Sequence, residues 1–151
     1  MIGAFAATVL GATVLGPTVL GATAHAAEPR PEGFWLTENG RGIVAIQPCR
    51  GEGLCGQMVW VANPLDADGA VKLDAKGQPL CGLQLAGALR DDGDGLWADG
   101  WIYNPRSGDT YGAEIEPLSE TELKVRGYVL LPLFGSSQIW TRVDGDRGGC
   151  G

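Results

Sequence analysis

Beyond residue 26, glycine or proline interrupts every stretch long enough for an ordinary amphipathic helix. The apolar signal that survives has a period of two. Its clearest instance is Leu96–Tyr111, LWADGWIYNPRSGDTY. Trp97, Trp101 and Tyr103 can share one face of an extended strand there, with Leu96, Ala98 and Ile102 opposite. The Asn-Pro-Arg-Ser-Gly-Asp segment Asn104–Asp109 reads as a turn, because Pro105 pre-sets φ and Gly108 tolerates a positive φ. Tyr111, Ala113 and Ile115 then resume the alternation, so the stretch reads as a long β-hairpin.

The rest of the chain repeats this pattern. Gly33–Glu38 is a short strand, and Asn39-Gly40 carries the signal of a type I′ turn. Gly42–Cys49 and Cys55–Ala62 follow as strands of a meander. Asn63–Leu80 breaks the rhythm with no sustained apolar period, and is the longest candidate loop. Strands resume at Leu83–Arg90, turn at Asp91–Gly95 into the central hairpin, and continue at Thr121–Val129. Pro132–Gly135 is a bend, and Ser137–Val143 closes the series. About eight short strands at this spacing predict an all-β fold, a small antiparallel up-and-down β-barrel, with a β-sandwich as the alternative. Closure removes sheet edges, and tight curvature accounts for Gly100, Gly112 and Gly127 within strands.

Residues 1–26 read as a signal peptide. Met1–Ala24 carries no charged side chain, and Ala24-His25-Ala26 has the small-x-small form of a processing site, predicting a mature start at Ala27. No Lys or Arg precedes Arg30, which departs from the usual basic start, and a retained anchor is the alternative. Gly3, Gly11, Gly16, Pro17 and Gly21 interrupt the apolar run, which argues against a spanning helix. Residues 27–151 then form a single barrel domain, located in the periplasm or secreted, with no stable membrane insertion after cleavage. Its 11 basic and 18 acidic residues give a net charge of −7, which argues against nucleic acid and anionic bilayers as partners.

The chain has four cysteines, all after residue 26, where export permits disulfides. Cys49 and Cys55 flank a hairpin-like loop and can stand opposite each other. Cys81–Cys150 follows by elimination only.

Several ordered pieces resemble exported bacterial proteins grouped as domain of unknown function 2147. They are Gly33-x-Trp35 with Thr37-Glu38, Cys49-x5-Cys55-Gly56, and Tyr103-Asn104-Pro105-x-x-Gly108-x-Thr110-Tyr111. Leu123–Tyr128, Phe134-Gly135 and Trp140-Thr141-Arg142 complete the set, which runs from residue 33 to 143. The resemblance implies a lipocalin-like (calycin-like) small barrel and export. It carries over no catalytic residue.

The one histidine, His25, lies in the leader, so no mature Ser-His-Asp or Cys-His site and no histidine-ligated metal is expected. Asp66-x-Asp68-Gly69 fails the EF-hand pattern at Ala70 and Gly77. No metal, cofactor or catalytic residue is therefore predicted. The candidate ligand-binding residues are Trp97, Trp101, Tyr103, Arg126, Tyr128, Trp140 and Arg142, an aromatic-plus-arginine set suited to an amphipathic ligand with an acidic group. In the competing reading Leu123, Val125, Ile139 and Val143 fill the barrel and the aromatics form an outer girdle. The function expected is a non-enzymatic exported barrel that binds a small amphipathic ligand. A cell-envelope structural or protein-protein interaction module is the alternative, and an interior cavity separates the two.

Overall fold

A computed structural model describes residues 26–150, together with positions 3, 11, 16, 21, 22 and 24. The leader reading lies almost wholly outside the described residues. Eight antiparallel strands follow in chain order: β1 (Gly33–Leu36), β2 (Gly42–Pro48), β3 (Leu54–Val61), β4 (Gln84–Gly93), β5 (Leu96–Asn104), β6 (Asp109–Pro117), β7 (Glu122–Tyr128) and β8 (Gly135–Val143). Each pairs with the next, and β1 pairs with β8 through Trp35 and Arg142, closing an up-and-down barrel. The seam is short, with the pairs Phe34–Val143, Trp35–Arg142 and Leu36–Thr141, so the Gly135–Trp140 part of β8 has no β1 partner; the closed order of strands sets the sandwich aside.

An up-and-down barrel sends alternate connections to opposite ends. The closed end carries the β2–β3, β4–β5 and β6–β7 turns. The wholly buried side chains Leu89 and Leu123, with Leu54, Ile46, Ile115 and Trp140, belong to the strand halves nearest that end, while the wholly buried pair Trp35 and Val44 sits nearer the β1–β2 turn. Arg142 stacks on Trp35, 4.2 Å from the ring centre, and donates to the carbonyls of Glu120 (2.6 Å), Glu32 (2.8 Å) and Arg30 (2.5 Å). The indole N–H of Trp35 donates to the Pro31 carbonyl at 2.7 Å. This knot fastens the incoming chain across the closed end.

Two disulfides brace the outside. Cys49 joins Cys55 across the β2–β3 turn, and Cys81 joins Cys150, with Cα separations of 5.0 and 5.5 Å. The second holds the chain after β8 against β3, where the Arg147 guanidinium lies 4.8 Å from the Trp60 ring centre.

Three local expectations need correction. Trp97 and Trp101 do not share a face: Asp99 adopts a positive φ of 57° and the β5–β6 ladder slips between Trp97 and Gly100. This bulge resets the alternation, so Trp97 and Ile102 pack on the core while Trp101 lies on the outer face. Asn39-Gly40 is not type I′, because only Gly40 has a positive φ; a turn bond from Gly40 N–H to Thr37 carbonyl (2.8 Å) closes it instead. On β8 it is Trp140, paired with Leu123, that faces the core, so Ile139 and Val143 do not fill it.

The strand glycines have little or no room for a side chain, as expected, and neighbouring groups take that space. A Cβ at Gly112 would overlap the Tyr128 ring, and one at Gly87 would stand 2.7 Å from the Trp101 ring. Gly87, Trp101, Gly112, Tyr128 and Gly135 are successive partners across β4 to β8, a row that alternates glycine with aromatic. Each ring lies over the bare backbone beside it.

Candidate functional site: the open half of the barrel

The open end carries the β1–β2 turn, the long β3–β4 connection, the β5–β6 turn and the β7–β8 loop. Below them lies a cavity of about 1310 Å³ that includes the mouth between these loops. Its apolar wall includes Met58, Leu85, Ile102, Val125 and Trp140. Gln138 pairs with the buried Val125 and so faces inward, yet it is exposed, as is Ser136. Both lie where β8 has no β1 partner, so they border the opening of the barrel. The barrel is thus solid in one half and hollow in the other.

The long connection Asn63–Leu80 has internal order. Leu65 bridges to Val71, and Leu73 bridges to Pro79, forming two miniature hairpins. In the first, Asp66 Oδ1 accepts from the N–H groups of Asp68 and Ala70, both at 2.9 Å. In the second, Asp74 Oδ1 accepts from Lys76 (2.9 Å) and Gln78 (2.7 Å). Both are Asx turns, in which a carboxylate substitutes for a backbone acceptor. A sequence signal existed: Leu65-Asp-Ala-Asp-Gly69 repeats as Leu73-Asp-Ala-Lys-Gly77. The Asp66 carboxylate is engaged by its own loop. Among the described residues no group of three or more His, Cys, Asp or Glu side chains is placed to hold a metal ion.

Asp74 is 8% exposed and also receives the Tyr103 hydroxyl at Oδ2, at 2.6 Å. That bond, helped by the Gln78 and Lys76 amides, holds the Asp74 carboxyl below its ordinary range despite partial burial. It pushes the Tyr103 phenol up to about 12. With the Ala75 N–H donating to the Pro105 carbonyl (2.8 Å) and Lys76 above the Tyr103 ring (5.3 Å), the second miniature hairpin is fastened to the β5–β6 turn.

The β7–β8 side of the mouth is apolar. Val129, Leu130, Leu131, Leu133 and Phe134 are all exposed, Leu130 by 89% and Leu133 by 79%. Leu130 has a φ of 67°, an uncommon conformation for a branched side chain. Arg126 anchors this loop from the outside of β7, donating to the Pro132 carbonyl (2.7 Å), the Ser137 hydroxyl (3.0 Å) and the Leu133 carbonyl (3.5 Å).

The seven candidate residues are therefore dispersed. Tyr103, Tyr128 and Trp140 contribute to the cavity wall, although the Tyr128 ring lies over Gly112 outside. Burial pushes the Tyr128 phenol up, and the Asp99 and Glu114 charges add to this. Trp97 packs in the core, Trp101 covers Gly87, Arg126 anchors the β7–β8 loop and Arg142 closes the far end. The sequence reading missed Arg41, Lys72 and Arg106, which line the mouth from three separate connections. No local pattern links them.

A family model described as an uncharacterized protein conserved in bacteria (DUF2147) matches residues 33–142. The chain belongs to this family. Comparison with curated proteins gives no match. Among solved structures, the DUF2147 barrel is similar to protein HP1028 of Helicobacter pylori, described as belonging to the lipocalin family. The TM-score is 0.62 at 17% identity, over 79% of this chain and 86% of the other. At that identity the likeness concerns the fold, and it agrees with the closed eight-stranded barrel of this DUF2147 member. Among its described residues no helix is long and apolar enough to cross a membrane.

Proposed function

We propose that this DUF2147 barrel is a non-enzymatic binding protein, exported to the periplasm or beyond, that holds a small amphipathic ligand in its open half. The observation that carries this reading is the cavity of about 1310 Å³, whose wall is apolar below and polar at the rim. Pockets for small ligands combine these features. The two disulfides suit an oxidising compartment, consistent with the leader sequence and a mature start at Ala27. Tyr103 and Trp140 are the candidate residues best placed to meet a ligand.

The test is native mass spectrometry of the mature protein purified from its own periplasm, followed by displacement of a fluorescent amphiphile. A retained small molecule, or one-to-one dye binding abolished by Gln138→Trp at unchanged unfolding midpoint, supports the reading. Dye binding that survives Gln138→Trp would place the site elsewhere. The exposed apolar loop Val129–Phe134 favours a second reading, docking to a cell-envelope partner. Under that reading the cavity stays empty and the loop alone governs association.

A further inference from the structure

The charges around the cavity are one-sided. The chain carries 18 acidic against 11 basic residues, yet three cations and no carboxylate line the cavity. The cations are Arg41 from the β1–β2 turn, Lys72 from the β3–β4 connection and Arg106 from the β5–β6 turn. Among the described residues none of these three forms an ion pair or donates a side-chain hydrogen bond, the ion pair present being Lys124–Glu116. Other cations have evident structural tasks: Arg126 anchors a loop, Arg142 closes the far end and Arg147 covers Trp60. Three cations without a side-chain partner border one opening, while the carboxylates of Asp74 and Asp109 beside it receive the Tyr103 and Tyr111 hydroxyls, an arrangement suited to capture of an anion. Directly below them the wall becomes apolar at Met58, Leu85, Ile102 and Trp140.

We infer that the ligand of the open half is an anionic amphiphile. Its acidic head, a carboxylate or a phosphate or sulfate ester, sits among Arg41, Lys72 and Arg106, and its apolar body lies in the hollow. This rests on the cavity being a binding site and adds the charge and polarity of what enters. Arg41 and Arg106 are exposed and Lys72 is half-buried, so each contact is screened by salt. The three together, rather than any one, set the preference.

The experiment measures binding to the mature protein of three probes with one dodecyl chain and different heads: dodecanoate, dodecanol and dodecyltrimethylammonium. All are used as monomers, with calorimetry at low and high salt. Dodecanoate is expected to bind at least about tenfold tighter than dodecanol, which corresponds to about 1.4 kcal/mol. Raising the salt should shrink that margin. Arg41→Gln, Lys72→Gln and Arg106→Gln should each weaken dodecanoate severalfold, and the triple variant should remove the preference. Dodecanol affinity should hold throughout, which also reports that the variants are folded. Equal binding of dodecanoate and dodecanol overturns the head-group inference and leaves the cavity reading standing. Preference for the ammonium probe overturns it by sign. Failure of all three probes overturns both readings.

Discussion

At the scale of single residues, the barrel depends on glycines that leave room for a neighbour's ring. Gly112 is the clearest, since the Tyr128 ring occupies the position its Cβ would take. Gly112 has no positive φ, so substitution there is a question of space and not of backbone strain. Gly112→Ala should destabilise the protein by about 1–3 kcal/mol, the usual cost of overpacking. In a Tyr128→Ala background the same substitution should cost far less, because the obstructing ring is gone. A double-mutant cycle by urea unfolding measures the coupling. Equal costs in the two backgrounds would show that ring and glycine do not interact. The structural arginines obey a related logic: Arg142 is engaged by three carbonyls, and Arg126 by two carbonyls and the Ser137 hydroxyl.

At the scale of elements, the second miniature hairpin of the β3–β4 connection is a titratable latch on the mouth. The Asp74 carboxyl is depressed in the folded state, so its contribution is present above the ordinary value of 3.8. It is lost as pH falls through the depressed value. The Tyr103 phenol is raised from 10.0 to about 12, so its contribution is complete below pH 10 and lost as pH rises through about 12. The latch should therefore hold across the neutral range and open at both extremes. A tyrosine absorbance titration checks the alkaline side. A step near 12 should disappear in Tyr103→Phe and move down toward 10 in Asp74→Asn. A step that stays put in Asp74→Asn would mean that this hydrogen bond does not govern Tyr103. Nuclear magnetic resonance of the Lys76 and Gln78 amides checks the acid side, since both donate to Asp74.

At the scale of the whole molecule, the two disulfides differ in what they constrain. Cys49–Cys55 closes a separation of 6 residues, and Cys81–Cys150 one of 69. Chain-entropy arguments assign about 2 kcal/mol to the first loop and about 4 kcal/mol to the second. Cys81→Ser/Cys150→Ser should accordingly lower the urea midpoint more than Cys49→Ser/Cys55→Ser does. Equal shifts would indicate that the chain after β8 adds nothing to the global fold. The same scale explains the hollow. The closed half is filled by Ile46, Leu54, Leu89, Ile115 and Leu123, which supply apolar burial that stability requires. The open half is then free to stay empty.

Period-two alternation and turn chemistry are local properties. The sequence alone therefore determined about eight strands in antiparallel order and favoured the barrel over the sandwich, and the DUF2147 resemblance over residues 33–143 pointed the same way; closure itself was decided by the β1–β8 pairing. Cys49 and Cys55 were legible for the same reason, since five residues and one turn lie between them. Which face of each strand meets the core was decided only in three dimensions. Alternation predicts two faces but not their sense, and a single bulge at Asp99 reverses it midway along β5. That is why Trp97 and Trp101 part company and why the aromatic-plus-arginine set disperses. The mouth was further from reach. Arg41, Lys72 and Arg106 belong to connections far apart in the chain, and only barrel closure brings them around one opening. A cavity is the space that side chains leave unfilled, and that space exists only once all eight strands have taken their places around it.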